Sequence, residues 1–549
     1  MTQRRPIAPR SGWNPLTLAL LAACWIAALP NWPLWRALLA LPETHSLRGG
    51  LFVLGFGVMV AAATTALFSL FAWSRSIKPV AALFLLAAGF GAYFMHSYGI
   101  VIDPTMMVNV LHTDPGETRD LLNWRLFAAL ALLAGLPLWI LARMPVQRLR
   151  LRAQLVRNLA ALASAVVLLV GLVLALYADL SSTMREHKTI RYLINPLNSF
   201  YALGALAAES AAQLKGPPRI IGSDARVLPL AAGAKPPLLL LVVGETARAA
   251  NFSLNGYPRP TNPELAALGV ISFGDVTACG TSTAASLPCM FSHLGRAGYA
   301  ARRGDSENLL DLAQRAGLAV LWVDNQAGCK GLCTRVTSAA ARDPAPGAAP
   351  LPAGLCEAGE CYDAALLHGL DERLAALPAA QRARGVLVVL HPMGSHGPAY
   401  FKRSPADRKP FLPECTTNVL RECEAAALMN AYDNSIAYAD HVLAQAIGWL
   451  GRQAGTHDAT LLYVSDHGES LGESGLYLHG VPYALAPREQ TWVPMIAWFA
   501  PGAPTRADCL RARRDLPLSH DHLFHTALGV LRLQASEYRP ELDAYAACR

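Results

Sequence analysis

Acidic and imidazole side chains follow directly after three apolar runs in the second half of this chain of 549 residues. Glu245 follows the run Pro237 to Val243, His391 follows Val386 to Leu390, and Asp466 and His467 follow Thr460 to Val464. Continuous apolar runs of this length are typical of buried parallel strands, whose carboxyl ends converge on a ligand site. Convergent carboxylates and imidazoles are the ligands that zinc requires. The sequence therefore predicts a zinc site at one sheet edge, with His396 close by.

A candidate nucleophile lies in the segment Cys279 to Cys289, which places several hydroxyl groups at a predicted loop-to-helix junction. A threonine at such a junction usually serves only as a helix N-cap. A threonine oxygen bound to zinc, however, loses its proton more readily, and a helix N-terminus favours an anionic phosphate. These arguments do not choose among the four candidates, which are Thr281, Ser282, Thr283 and Ser286.

Helical patterns separate the three apolar runs and predict the fold of this half. They lie near Asn308 to Ala316, Ala364 to Leu377 and Met429 to Leu450. Strands that alternate with helices indicate an α/β domain with a parallel sheet.

The first half, from about Asn14 to Leu180, is too apolar for a water-soluble surface. It contains five stretches near the roughly 20 residues that a membrane span needs. They are Pro15 to Ala40, Gly50 to Trp73, Pro79 to Ile100, Trp124 to Leu141 and Leu159 to Tyr177. The first is too long for a cleavable signal peptide and is followed by Trp32, Trp35 and another span. We predict five transmembrane helices.

Basic residues predict the orientation of these spans, because Lys and Arg accumulate in cytoplasmic loops. They cluster at the N-terminus (Arg4, Arg5, Arg10), between spans two and three (Arg75, Lys78) and between spans four and five (Arg143, Arg148, Arg150, Arg152, Arg157). Everything after about Leu180 is then expected on the opposite side. We assign much of the formal net charge of +8 to this topology rather than to nucleic-acid binding.

The cysteines support the same placement. One, Cys24, lies in an apolar stretch, and the other ten fall as near neighbours in the polar half. The suggested pairs are Cys279/Cys289, Cys329/Cys333, Cys356/Cys361, Cys415/Cys423 and Cys509/Cys548, although spacing alone does not determine connectivity. The alternative is scattered free thiols in a cytosolic protein. The even number of these cysteines, and the lack of the CxxC spacing of zinc ribbons, favour disulfides in an oxidising compartment.

Two further segments lie next to the predicted spans. The outward loop Asp103 to Asn123 carries Asn109, Thr113 and Glu117 at intervals of four, which would align them on one helical face. The residues alone favour a solvated interfacial helix there, and a substrate contact is the alternative. Ile194 to Lys215 suits a second interfacial helix, and Gly216 to Pro237 a linker.

Several motifs together resemble those of lipid A phosphoethanolamine transferases, a group that includes the polymyxin-resistance enzymes. They are Val243-Gly-Glu-Thr-Ala-Arg, the segment from Cys279 to Ser292, Asp324-Asn-Gln-Ala-Gly-Cys-Lys-Gly, Gly394-Ser-His-Gly-Pro and Ser465-Asp-His-Gly-Glu-Ser. The last alone indicates only the wider alkaline phosphatase and sulfatase superfamily. The resemblance spans nearly the whole chain. It implies a five-span α-helical domain (1–180), an interfacial helix with linker (181–237) and an α/β sulfatase-like catalytic domain (238–549).

The resemblance also implies roles for individual residues. Zinc is expected on Glu245, Thr283, Asp466 and His467, with Thr283 as nucleophile, while His396 and His479 bind the phosphate or a second zinc. The expected substrate-binding residues are Asn109, Thr113, Glu117, Lys330, His391, His396 and His479. Ala327 departs from the pattern, because many relatives carry a serine there.

The activity implied is transfer of phosphoethanolamine from phosphatidylethanolamine to a phosphate of lipid A, by a monomer in a bacterial inner membrane with its catalytic domain in the periplasm. The expected partners are these two lipids and the membrane, without nucleic acid. Alternatives are a core-sugar acceptor, a phosphodiester hydrolase, or a glycerol-phosphate transferase like those that make lipoteichoic acid. A membrane scaffold with an inactive sulfatase-like domain is a further alternative, disfavoured because every expected ligand is present.

Overall fold

A computed structural model describes residues 12–113, 115–213, 217–357 and 359–549. The chain divides into two compact units. One consists of Met1–Met107 with Leu122–Ala207, and the other of Val108–Leu121 with Ala208–Arg549. The N-terminal arginines Arg4, Arg5 and Arg10, together with Lys215 and Gly216, lie outside the described residues.

The first unit is built from apolar helices. Four described helices are long and apolar enough to cross a membrane, namely Leu47–Leu70, Ile77–Tyr98, Trp124–Arg143 and Leu151–Ala175. Pro15–Ala28 and Trp32–Leu39 together form a fifth candidate, bent by 48° at the break between them. Side chains such as Leu47 and Val167, which are 85% and 72% exposed, lie on the outside of this unit. Exposed apolar surface of this kind is what a lipid environment requires.

The bend in the first candidate span has a local cause. The run Pro15 to Ala40 was expected to be one span, but Pro30 and Pro33 both lack the N–H that a continuous helix needs. Asn31 lies between them and donates a side-chain hydrogen bond to the Ile26 carbonyl at 2.8 Å. This bond satisfies one of the carbonyls at the end of the first helix.

The residues that connect the two units contain regular structure. Helices cover Tyr177–Glu186 and Leu197–Gln213, the second of which lies within the predicted interfacial helix. The predicted linker carries a short strand, Arg226–Val227, which pairs antiparallel with Leu533–Gln534. The linker is therefore joined to the C-terminal part of the chain and is not simply a flexible spacer.

Residues 108–121 interrupt the first unit in sequence and belong to the second unit. Two short helices, Pro104–His112 and Pro115–Leu121, cover this part of the chain. The prediction of one helical face through Asn109, Thr113 and Glu117 is therefore wrong. Pro115 favours the start of a new helix because its ring removes a backbone donor. Thr113 lies between the helices and donates its hydroxyl to the Asn109 carbonyl at 2.8 Å.

A seven-stranded sheet forms the centre of the second unit. In chain order the strands are β1 (Pro237–Gly244), β2 (Ile271–Phe273), β3 (Ala319–Asp324), β4 (Thr337–Ala340), β5 (Val386–His391), β6 (Asp458–Ser465) and β7 (Met495–Phe499). Their spatial order is β2-β7-β6-β1-β5-β3-β4. Five neighbouring strands, β6, β1, β5, β3 and β4, are parallel. At the other edge, β7 pairs antiparallel with β6, and β2 pairs antiparallel with β7. The predicted parallel core is confirmed.

Helices cover both faces of the sheet, so alternate side chains of each central strand enter different cores. In β1, Leu239 and Leu241 belong to one apolar cluster and Leu238 and Leu240 to the other. Two buried faces explain why this strand is a continuous apolar run. The described helices after the linker are Pro263–Ala267, Thr283–Met290, Gly295–Ala300, Leu309–Arg315, Leu370–Ala375, Ala379–Arg382, Ala425–Gln453, Arg488–Thr491, Ala507–Arg511 and Asp521–Val530.

One predicted helix is divided. The pattern from Ala364 to Leu377 forms a short 3-10 helix, Asp363–Leu367, followed by the α-helix Leu370–Ala375. Gly369 separates them with a φ of +66°, a left-handed conformation that ends a right-handed helix.

All five suggested disulfides are present, so the predicted cysteine pairing is confirmed. They join Cys279 to Cys289, Cys329 to Cys333, Cys356 to Cys361, Cys415 to Cys423 and Cys509 to Cys548. Cys24 is a free thiol.

Candidate metal centre and active site

The site lies at the carboxyl ends of neighbouring central strands. Glu245 follows β1 and Asp466 follows β6, and these strands pair in parallel so that Gly244 lies opposite Ser465. This register brings the two carboxylates together. Ligand atoms of Glu245, Asp466 and His467 all lie within 4.8 Å of one another, and all three residues are buried. The structure thus assembles three of the predicted ligands.

Thr283 completes this group from a different element. It is the first residue of the helix Thr283–Met290. Its Oγ1 lies 3.0 Å and 3.1 Å from the two Glu245 carboxylate oxygens and 3.4 Å from Nε2 of His467. The helix N-terminus therefore presents one hydroxyl group to the carboxylate and imidazole ligands.

The other three candidate hydroxyls point elsewhere. Thr281 donates to the Val481 carbonyl at 2.8 Å, and Ser286 donates to the backbone carbonyl of Asp466 at 2.5 Å. The Ser282 hydroxyl is buried without a hydrogen-bond partner among the described residues. Of the four residues that the sequence left open, Thr283 is the one whose side chain contacts Glu245.

The donor set fits a divalent metal ion. Oδ2 of Asp466 is buried and has no hydrogen-bond partner among the described residues. A buried carboxylate oxygen without a partner is costly, and a cation would compensate for it. Two carboxylates, one imidazole and one hydroxyl are oxygen and nitrogen donors of the kind that zinc accepts.

Burial and mutual repulsion shift the pKa values of these ligands. Burial, with the charge of Glu245, raises the pKa of Asp466 to about 6. Burial opposes ionisation of Glu245 too, but His467 and the other imidazoles hold the pKa of Glu245 well below its usual range. Burial would lower the pKa of His467, but Asp466 and Glu245 outweigh it and raise that pKa to about 10. The carboxylate pair therefore favours a positive charge at this position.

His391 contacts the same centre from the end of β5. Its Nε2 lies 3.9 Å from Oε2 of Glu245, and its Nδ1 lies 3.1 Å from Oδ2 of Asp324. The Trp322 indole also donates to this Asp324 oxygen, at 2.9 Å. Asp324 orients His391 in the way that an outer carboxylate orients a metal-site imidazole.

Two further predicted histidines lie beside His467. The ring centroids of His467 and His479 are 4.3 Å apart, and those of His396 and His479 are 5.4 Å apart. Nδ1 of His479 lies 3.3 Å from Oε1 of Glu469, which is fully buried. Burial raises the pKa of Glu469 to about 8. These imidazoles form a cluster suited to bind the oxygens of an anion.

Sequence reasoning missed three residues that support the centre. Glu469 lies in the Ser-Asp-His-Gly-Glu-Ser motif, and Gln326, which donates to Oε2 of Glu245 at 3.3 Å, lies in the Asp-Asn-Gln motif. Neither residue was predicted to have a role of its own. His520 lies in none of them. Its Nδ1 accepts the Cys279 N–H at 2.9 Å, so its Nε2 carries the proton and donates to the Ser465 carbonyl at 2.9 Å.

The remaining predicted residues belong to the same compact unit as this centre. Lys330 has a φ of +47° and donates its ammonium group to the Ala327 carbonyl at 3.2 Å. Asn109 and Thr113, and the helix that contains Glu117, belong to residues 108–121 of this unit. Nδ2 of Asn109 is buried without a hydrogen-bond partner among the described residues.

Comparisons with known proteins cover both halves of the chain. A family model described as Sulfatase matches residues 237–533, and one described as Phosphoethanolamine transferase EptA/EptB matches residues 60–211. Phosphoethanolamine transferase EptA of Escherichia coli K12 is 38% identical over 553 residues, with 98% of each chain covered. Phosphatidylethanolamine transferase Mcr-1 of Escherichia coli is 36% identical, with 98% of this chain and 99% of that protein covered.

A solved structure covers nearly the same length. It is the integral membrane protein lipooligosaccharide phosphoethanolamine transferase A (EptA) from Neisseria meningitidis, which matches with a TM-score of 0.89 at 33% identity. The match covers 97% of this chain and 98% of that one. The predicted fold class, apolar helices followed by a sulfatase-like domain, is confirmed.

Proposed function

Since this chain belongs to the EptA family of phosphoethanolamine transferases, we propose that it transfers phosphoethanolamine from phosphatidylethanolamine to a phosphate of lipid A. The observation that carries the proposal is the position of Thr283, whose hydroxyl lies 3.0 Å and 3.1 Å from the two oxygens of Glu245. A hydroxyl group held among metal ligands at a helix N-terminus is suited to attack phosphorus.

We assign a zinc ion to Glu245, Thr283, Asp466 and His467. When bound, zinc lowers the pKa of a coordinated hydroxyl group and offsets the negative charge of a phosphate. Asp466 and His467 supply donors from the loop after β6, and Glu245 supplies one from the loop after β1. His396 and His479 are assigned to the phosphate oxygens or to a second zinc, because their rings cluster with His467.

The reaction is proposed to proceed in two displacements at phosphorus. In the first, the Thr283 hydroxyl loses its proton and its oxygen forms a bond to phosphorus, while the bond from phosphorus to the diacylglycerol oxygen breaks and that oxygen takes up a proton. This leaves phosphoethanolamine esterified to Thr283. In the second, a phosphate oxygen of lipid A attacks the same phosphorus, the bond from phosphorus to the Thr283 oxygen breaks, and that oxygen takes up a proton to restore the hydroxyl. Two steps allow both lipids to use one site in turn.

Polar residues of the second unit are proposed to hold the lipids. Asn109 fits such a role because its buried Nδ2 lacks a partner among the described residues, and a ligand oxygen would satisfy it. Thr113, Glu117, Lys330 and His391 complete the proposed substrate-binding set. Ala327 has no hydroxyl group to offer, so any contact there comes from its backbone.

We place the second unit in the periplasm of a bacterium, anchored in the inner membrane by five spans. The five disulfides support this placement, because such bonds persist in oxidising compartments. The division into a membrane domain (1–180), a connection (181–237) and a catalytic domain (238–549), and function as a monomer, are part of the same proposal.

The covalent intermediate provides the test. Full-length protein purified in detergent is incubated with phosphatidylethanolamine, and peptides containing residue 283 are analysed by mass spectrometry. We expect wild type to carry phosphoethanolamine on Thr283, and Thr283→Ser to carry it on the serine and to retain part of the transfer. Thr283→Ala should lose both the adduct and the modification of lipid A in cells. Full lipid A modification by Thr283→Ala would refute the proposal.

A further inference from the structure

An ion pair with a buried carboxylate joins residues 108–121, called here the lipid-contact segment, to the rest of the second unit, called here the catalytic unit. Asp120 lies in the short helix Pro115–Leu121 and is only 4% exposed. The ammonium group of Lys402 contacts Oδ1 of Asp120, and the Arg403 guanidinium lies 3.8 Å from Oδ2. A buried carboxylate is tolerated only when cations or donors compensate for its lost hydration.

The backbone of Asp120 is held as well. The side-chain amide of Asn418 donates to the Asp120 carbonyl at 2.6 Å. This carbonyl lies in the last turn of its helix, where carbonyls lack intrahelical partners. Asp120 is thus bound to the catalytic unit through both its side chain and its backbone.

Arg403 extends the connection to His396, one of the histidines assigned to the phosphate oxygens. Its side chain is 6% exposed, and its Nε donates to the backbone carbonyl of His396 at 2.8 Å. Its Nη1 lies 3.6 Å from Oε2 of Glu360. One guanidinium group therefore lies between the lipid-contact segment and the loop that carries His396.

We propose that Asp120 is a positioning residue, which through Lys402 and Arg403 holds the lipid-contact segment in a fixed position relative to His396. This inference rests on the proposed function, because it treats Asn109, Thr113 and Glu117 as lipid contacts. Asp120 acts through other residues and does not touch the reacting phosphorus. Loss of its charge should therefore impair the use of a lipid donor more than chemistry at the metal centre.

Two donors separate these effects in the full-length protein in detergent. One is phosphatidylethanolamine, and the other is the soluble 4-nitrophenyl ester of phosphoethanolamine, which needs no lipid contact. For Asp120→Asn we expect kcat/KM with phosphatidylethanolamine to fall by about tenfold to a hundredfold, mainly through KM, as small misplacements of substrate-positioning elements do. Release of nitrophenol should stay within about twofold of wild type, since the nucleophile is unchanged.

Two further variants complete the comparison, one at the ion-pair partner Lys402 and a matched control at Asp407. Lys402→Met removes the partner that is 37% exposed and should show the same selective loss. Added to Asp120→Asn, it should cause little further loss, because both remove one interaction. Asp407→Asn neutralises a nearby acid that is 79% exposed and should leave both donors unaffected. Equal loss with both donors, or an unchanged KM for the lipid, would overturn the proposal.

Hydrogen–deuterium exchange gives a readout that does not require turnover. Asp120→Asn and Lys402→Met should exchange faster than wild type in residues 108–121, with little change in the loop that carries His396 and in β1 and β6. Unchanged exchange would contradict the positioning role even if the lipid reaction proved to be a different one. Failure of wild type to modify lipid A, with faster exchange in the variants, would instead reject the proposed function and retain the ion pair as a positioning element.

Discussion

At the scale of residues, the candidate metal site balances buried charges of opposite sign. Glu245 and Asp466 are fully buried beside each other, and His467 supplies the positive charge that they favour. A metal ion at this position would compete with the proton of His467, so its binding is linked to pH.

We therefore predict that zinc affinity falls as the pH is lowered. Because Asp466 and Glu245 outweigh burial and raise the pKa of His467 to about 10, zinc binding must displace its proton, and acid favours the proton. Competition with a chelator between about pH 8 and about pH 6 measures this on the full-length protein. Asp466→Asn should lose most of its bound zinc, whereas Asp407→Asn should keep it. Equal zinc contents in the two variants would contradict the assigned site.

A second residue prediction concerns His520. Burial lowers the pKa of His520 to about 3, well below its ordinary value of 6.5. The unfolded chain therefore binds a proton that the folded chain excludes, so the contribution of neutral His520 to stability is complete above about pH 6.5 and is lost as the pH falls towards about 3. His520→Gln should melt at a lower temperature than wild type at about pH 7 and lose less stability on acidification to about pH 5.

The control for that measurement is His368→Gln, which changes a partly exposed histidine that is not among the predicted site residues. It should follow the wild-type dependence of melting temperature on pH. Parallel curves for wild type and His520→Gln would show that His520 does not carry the acid sensitivity.

At the scale of elements, a disulfide closes the segment that carries the proposed nucleophile Thr283. The disulfide between Cys279 and Cys289 brackets Thr283 and ends near the end of the helix Thr283–Met290. Its sequence separation is 10 residues, whereas that between Cys509 and Cys548 is 39. The two bonds should therefore differ in what they contribute.

We predict that the two disulfides separate stability from activity. In the chain-entropy model, closing the longer loop stabilises by about 4 kcal/mol and the shorter by about 3 kcal/mol. Replacing Cys509 and Cys548 by Ala should thus lower the melting temperature more. Replacing Cys279 and Cys289 should reduce transfer more strongly, because the proposed nucleophile Thr283 would be less well placed. Thermal melting and lipid A mass spectrometry on both double variants test this. Equal activity losses at matched stability would contradict it.

At the scale of the whole molecule, topology determines which lipids are accessible. Arg143, Arg148, Arg150, Arg152 and Arg157 surround the start of the helix Leu151–Ala175, which is the last candidate span. Because Lys and Arg accumulate in cytoplasmic loops, we expect the loop before this helix in the cytoplasm and the residues after the helix on the opposite side.

Reporter fusions should show this arrangement. We expect alkaline phosphatase, which folds only outside the cytoplasm, to be active when fused after Gly233 and inactive when fused after Gln147. Green fluorescent protein should give the opposite pattern. An active phosphatase at Gln147 would contradict the predicted orientation, and with it the access of the catalytic unit to lipids of the outer leaflet.

Much of this protein is determined by sequence patterns that have a direct physical cause. Hydrophobicity over about 20 residues predicts spans because a bilayer has a fixed thickness. Continuous apolar runs predicted β1, β5 and β6, which are buried on both faces. The cysteine spacing led to the correct pairs because each bond joins two consecutive cysteines of the chain. Motif residues after those strands indicated the metal centre, since parallel strands bring their ends together.

Only the tertiary structure showed, independently of the family resemblance, which hydroxyl faces Glu245 and what surrounds it. Thr281, Ser282, Thr283 and Ser286 are chemically alike in sequence, and their roles differ only in the direction of each side chain from the helix start. His520 and Asp120 lie outside the recognised motifs. Their proposed roles depend on Cys279 and Lys402, which lie 241 and 282 residues away in the chain. Such contacts arise from the packing of distant segments, which local periodicity does not encode.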